Sequence, residues 1–168
     1  MPAPADLDPG ATPTPTTSGR NGPQINPSTG LSTDYLNHFT EALMALEMAG
    51  SVPECLDDLR EWQPKTYPEH FAGSRFSNRD AIVAAYFATD PPIRILLDRM
   101  AKVLNALVAR SRDLACQQTD AAEIEVIARR GVARLRPLIA QTAALINGTA
   151  DEATRRGPQA QIDAMFAR

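Results

Sequence analysis

His38, Cys55, His70 and Cys116 are the imidazoles and thiols of this chain, and with them the side chains best suited to hold zinc. Zinc sites draw their ligands from tight pairs a few residues apart, because so short a loop closes around the ion at small entropic cost. None of the four stands at such a spacing, so no metal site and no cofactor is expected. His38 invites a different chemistry. A histidine on a bundle helix can carry a phosphoryl group when the ring is exposed and a cation nearby helps to hold the phosphate. Here the run is His38-Phe39-Thr40-Glu41-Ala42, with an acid where the cation would help, and the ring falls at the border of an apolar arc beside Ala42 and Ala45. A border histidine with a local hydrogen bond is the plainer expectation; exposure would favour phosphotransfer and burial would dismiss it. No nucleophile–base pair can be named, and Gly19-Arg20-Asn21-Gly22 lies in a stretch without element signals, so it is no phosphate loop. The chain is not expected to be an enzyme.

Two surface patterns speak instead for binding. Arg129-Arg130-Gly131-Val132-Ala133-Arg134-Leu135-Arg136 is the one basic run; on a helix Arg130 and Arg134 share one flank, Arg129 and Arg136 the other. Glu125 can pair with Arg129 four residues on, and Glu123 lies on the flank of Arg130, so a solvated, partly paired face is the plain reading. Nucleic acid would want aromatic or amide readers beside these arginines and a less acidic remainder, and Glu54–Trp62 and Ala81–Thr89 are too far apart for the short turn of a helix-turn-helix. Met44 and Met48 lie four apart, on the side of the first helix away from Phe39 and Leu46, with Leu36 and Thr40 bordering them. A central helix packed on both sides is the first explanation. The second is an exposed strip of Leu36, Met44 and Met48 offered to a partner, since methionine adapts its shape easily. Glu41 and Glu47 border that strip, so the arginines at 129, 130, 134 and 136 of a second copy would suit it.

Those residues need a scaffold, and its clearest signal runs from Ile93 to Leu145. Ile93, Leu97, Met100, Leu104, Leu107, Ser111 and Leu114 recur at alternating fours and threes, as do Ile124, Ala128, Gly131, Leu135, Leu138, Thr142 and Leu145. Each set fills one side of a helix, and the break at Cys116-Gln117-Gln118-Thr119 permits only an antiparallel return. Folded so, Leu107 should face Gly131. Asp90-Pro91-Pro92 and Asp120 with Glu123 are start signals, and Asn147-Gly148 is a stop. Pro137 inside the second helix should cost about 3 kcal/mol. The apolar phase crosses it unbroken, which predicts a kink and not an end.

The shorter segments also read as helix. Ser32 or Thr33 caps one through Met48, stopped by Gly50; Pro53 begins Glu54–Trp62, with Leu56 and Leu59 inward; Tyr67–Gly73 forms a short turn carrying Phe71. Ser77 with Asp80 resembles a capping box before Ala81–Thr89, where Ile82, Val83, Tyr86 and Phe87 share a side. A weaker helix follows Thr149 and Glu152, closing with Ile162, Met165 and Phe166.

Residues 1–30 hold seven prolines and four glycines, with no aromatic residue before Tyr35, and are expected to be a disordered tail dispensable for folding. They lack the charged start and apolar run of a secretory signal, and no apolar run approaches a membrane span, so a cytoplasmic protein with two free thiols is expected. Residues 1–93 carry 5 Lys/Arg against 12 Asp/Glu, and residues 94–168 carry 12 against 8. Attraction between the two halves within the domain is the simplest consequence. Residues 31–168 are thus expected to be one all-α domain, an irregular helical bundle built on a long antiparallel hairpin with shorter helices across it. The expected function is a non-catalytic protein-interaction module: an adaptor, regulator or assembly subunit acting through helical faces, with a protein partner or by self-association. The alternatives are a phosphotransfer or other signalling domain using His38, and an exported effector with residues 1–30 as delivery segment.

Overall fold

The structure, a computed structural model, describes residues 23–150; among them the regular elements are six α-helices and one 3-10 turn, with no strand. Their frame is the long hairpin of α5 (Pro91–Cys116) and α6 (Ala121–Ile146). α5 starts at Asp90 with two prolines in the first turn, where an N–H would have no helical partner; the Asp90 side chain itself makes no capping bond. α6 opens on the Asp120 carboxylate, which accepts from the Ala122 and Glu123 N–H groups. The helix continues through Pro137, whose flanking neighbours Leu135 and Leu138 are both buried and hold it in phase. Gly148, at φ +70°, supplies the left-handed turn after its end.

The register of the hairpin differs from expectation. All seven residues of the α6 stripe are buried. On α5 the buried line follows Leu97, Met100 and Leu104, then passes through Val108, Ser111 and Ala115, leaving Leu107 half-buried and Leu114 exposed. A strict seven-residue repeat drifts about 20° per heptad on a helix of 3.6 residues per turn, and here the seam moves onto the smaller side chains. Gly131 consequently faces Ser111 and not Leu107: a methyl group on Gly131 would lie 2.6 Å from Ser111 Oγ and 3.0 Å from its Cβ, with Leu46 Cδ1 3.6 Å away.

Leu46 belongs to α1 (Asn37–Met48), which packs on both hairpin helices through Phe39, Ala42, Leu43 and Leu46. A 3-10 turn, Thr33–Leu36, precedes it and is capped by the Ser32 hydroxyl. Gly50 does not end α1 by a left-handed turn, since Gly30 and Gly148 are the described residues with positive φ. A methyl group there would sit 2.9 Å from Glu125 Cβ, so the glycine admits the close approach of α1 to α6. α2 (Glu54–Glu61) starts after Pro53 and buries Leu56 and Leu59. α3 (Tyr67–Ala72) has a full capping box between Thr66 and Glu69. α4 (Arg79–Ala88) opens at Asn78 without a side-chain cap, so Ser77 and Asp80 form no box; Ile82 and Tyr86 are buried, but Phe87 is exposed. No helix among the described residues is long and apolar enough to cross a membrane.

Residue 30 is not where the packed chain begins. Pro23 and Thr29 are buried, the Thr29 hydroxyl donates to the Ile146 carbonyl, and the Thr29 carbonyl accepts from the Thr89 hydroxyl at 2.9 Å. Asn26 and Leu31 add a backbone bond of 2.7 Å, and Gly30 turns at φ +73°. This segment ties the end of α4 to the end of α6. The rest of the expected tail, residues 1–22, and the last expected helix, within 151–168, lie outside the described residues.

Two outcomes follow from this packing. Gly131→Leu should overpack the three-helix contact and lower stability by about 1–3 kcal/mol, with Ser111→Gly recovering part of the loss in the double variant, as read by urea unfolding. A chain beginning at Gly30 should melt about 4–8 °C below one beginning at Gln24, because it loses the Thr29 anchors, each bond contributing about 1 kcal/mol. Equal melting points would show that this segment merely rests on the domain.

Candidate functional site

A cleft of about 620 Å³ lies between α1 and α2. Its α1 wall is His38, Ala42 and Ala45 with Met44 and Met48 at the lip, its α2 wall is Cys55 and Leu59, and Trp62 lies beside His38 in the same lining. Glu41, Asp58, Glu61 and Lys65 supply its charges. Among the described residues no ion pair engages Glu41, Asp58 or Glu61, so the cleft keeps an acidic excess.

Met44 is 56% exposed and Met48 46%, so α1 is not packed on both sides. Leu36, expected beside them, is instead buried in the core. It stands seven residues, or two helical turns, before Leu43 and so shares the buried face of Leu43 and Phe39. The exposed strip therefore consists of the two methionines alone.

His38 sits at the inner end of the cleft, 6% exposed. Its ring stacks on Trp62 at 4.7 Å between centroids with 18° between planes, and the His70 ring lies 5.9 Å away. Trp62 Nε1–H donates to the His38 carbonyl at 3.0 Å, which fixes the indole against α1. Burial lowers His38 from 6.5 to about 4, the neighbouring His70 and Lys65 charges push the same way, and a hydrogen bond with the Gln63 backbone opposes them. Burial lowers His70 as well. Both imidazoles are neutral at pH 7, and His38 Nε2 is buried with no partner among the described residues. A ring enclosed in this way lacks the exposure that phosphoryl transfer requires. The two histidines are also too few for a metal: among the described residues no three of His, Cys, Asp and Glu come together to hold one. Cys55 lines the cleft, whereas Cys116 points at the Leu56 carbonyl at 4.0 Å, and both are free thiols.

The basic run is divided by the fold. Arg129 pairs with Glu125 as its spacing predicts, and Arg136 pairs with Glu47 of α1, so these two are clamps within the chain. Arg130 and Arg134 join Arg110 of α5 around a separate recess of about 180 Å³ in the hairpin. Sequence reasoning missed Arg110, which lies on α5 nineteen residues before the basic run, and Trp62, whose stacking on His38 bridges 24 positions.

Comparison of the chain with family models, with curated proteins and with solved structures finds no match. The chemistry of the cleft rests on its own geometry: deformable thioethers over an apolar wall, a neutral aromatic end and an acidic rim. Such a surface can bury apolar side chains and attract cations.

The His38 enclosure has a measurable consequence. Its folded pKa lies below the unfolded value of 6.5, so the folded state holds fewer protons, and the stability this confers is complete above pH 6.5. It is lost as pH falls from 6.5 towards 4, by on the order of 3 kcal/mol. Urea unfolding of the native chain and of His38→Phe across that range should show the native chain losing more stability by this amount. Parallel curves would mean the ring is solvated.

Proposed function

We propose that the chain is a non-catalytic helical interaction module, an adaptor, regulator or assembly subunit. Its α1–α2 cleft receives an amphipathic helical segment of a protein partner, apolar on one side and flanked by Lys or Arg. The observation that carries this reading is the exposure of Met44 and Met48 at the lip of a cleft whose Glu41, Asp58 and Glu61 have no ion pair among the described residues. Apolar side chains left in water at helical spacing gain free energy when covered, at about 25 cal/mol per Å². The acidic rim selects the charge of what covers them. The neutral, enclosed histidine and the buried thiol of the cleft favour binding over catalysis. Two free thiols suit a reducing compartment, and the cytoplasm is the compartment we propose.

Trp62, the single tryptophan of the chain, lines the cleft and reports on its occupancy. A synthetic Leu/Lys amphipathic helix should shift its emission saturably, and more weakly as salt is raised. A Leu/Glu helix of the same pattern should not. Met44→Glu with Met48→Glu should abolish the response while leaving helical circular dichroism unchanged. Equal responses to both peptides, or none to either, would refute the proposal; unfolding of the double variant would show that the methionines belong to the core.

A further inference from the structure

We infer that the occupant of the cleft is a second copy of this chain, docked head to tail with the α5–α6 recess of one copy over the cleft of the next. The inference rests on the cleft being a docking site and names its partner. Arg110, Arg130 and Arg134 surround the recess, and no acidic residue lines it. Among the described residues none of the three takes part in an ion pair. Arg130 and Arg134 are four apart on one helix, a spacing at which like charges repel. An acidic surface laid over them would offset that repulsion, and the cleft rim of another copy presents Glu41, Asp58 and Glu61.

The apolar parts match as well. Leu107, Leu114 and Ile127 wall the recess, and Leu114 is exposed. Its floor is Gly131 and Ser111. A methionine is unbranched and fits irregular gaps, so Met44 or Met48 of the next copy suits such a recess.

Orientation decides the kind of assembly. Leu46 approaches Gly131 from the α1 side, whereas the recess is lined by α5 and α6 alone. Met44 and Met48 each stand two residues from Leu46, about 200° around the helix, so they point away from the hairpin. Cleft and recess thus open on opposite sides of the molecule. One two-fold contact cannot use both surfaces of both copies. Contact between them is heterologous and propagates from copy to copy.

The test uses three full-length chains in sedimentation: the native protein, Arg130→Glu/Arg134→Glu with the recess spoiled, and Met44→Glu/Met48→Glu with the cleft spoiled. The native mass should rise with protein concentration and fall with added salt, and each variant alone should stay a monomer. Mixed in equal amounts, the variants share one intact cleft and one intact recess, so the mixture should reach twice the monomer mass and stop there. Where circular dichroism shows a glutamate pair unfolded, the corresponding glutamine pair replaces it. A native chain that stays monomeric while the recess variant still binds the Leu/Lys peptide would overturn the self-docking inference and leave the docking cleft standing. Native assembly that neither variant disrupts, or a mixture that forms no dimer, would also overturn it.

Discussion

The absent side chain at position 131 is the constraint around which the molecule is arranged. Glycine inside a helix costs about 1 kcal/mol relative to alanine, so its place in the middle of α6 needs a compensating gain. The gain is the approach of three helices at one point, where Ser111 of α5 and Leu46 of α1 fill the space a Cβ would need. Gly50, just past the C-terminal end of α1, repeats the device one turn further on, against Glu125. Two such contacts fix the line along which α1 lies on the hairpin. With one side of α1 committed to that line, its opposite side must face outward, and the residues there are Met44 and Met48. The inner packing and the outward face of α1 thus descend from one position.

A second layer of interactions holds the short helices against this frame. Tyr35 meets Phe39 edge-on at 5.2 Å, and Tyr67 stacks on Tyr86 at 5.1 Å. The polar tips of all three tyrosines are also used: the Tyr35 hydroxyl donates to the Lys65 carbonyl, the Tyr67 hydroxyl accepts from the Ser32 N–H, and the Tyr86 hydroxyl donates to Asp98 Oδ1, each at 2.8 Å. Arg112 reaches from α5 to the Trp62 carbonyl at 2.9 Å. The segment from Trp62 to Thr66, rich in polar residues and without a helix of its own, is held by these bonds at both ends. One end of the cleft is therefore rigid, while the lip is made of two flexible thioethers. A partner entering it would find the aromatic end already organised and would order only the methionines, which keeps the entropic cost of binding small.

Much of this architecture is readable from spacing because helices bury alternating threes and fours, and the α6 stripe, its passage through Pro137 and its stop at Gly148 all obey that rule. Departures occur where another quantity governs. Leu36 is misplaced by its sequence proximity to Thr40, although its spacing of two turns from Leu43 sets it on the buried face of α1. Leu107 is misplaced because two helices in contact shift their seam towards small residues. Residues 23–30 look unstructured by composition, yet they are fixed by backbone carbonyls and by the hydroxyls of Thr29 and Thr89, groups that hydropathy does not weigh. The His38–Trp62–His70 cluster was the least legible, because its members come from α1, the segment after α2 and α3, and no local pattern links them.

The charge of the chain shows why the interior and the outer surfaces must be considered separately. An acidic first half and a basic second half could neutralise one another within the domain. The pairs found do little of that: Arg60–Asp57, Arg79–Asp80, Arg112–Asp113 and Arg129–Glu125 each stay within one half. Arg136–Glu47 does join the two halves, but both side chains are well exposed, and a pair so placed contributes little to stability. The hairpin and α1 are held by buried carbon, so the fold does not need its charges to meet. They are left on separate surfaces, acidic along the α1–α2 cleft and basic along the α5–α6 recess. Charges that do not stabilise the interior still shape the field outside it. Two opposed patches of opposite sign orient an approaching molecule before contact, more strongly at low salt than at high. A frame held mainly by buried carbon leaves most of its charges at the surface, where they set the field around the molecule.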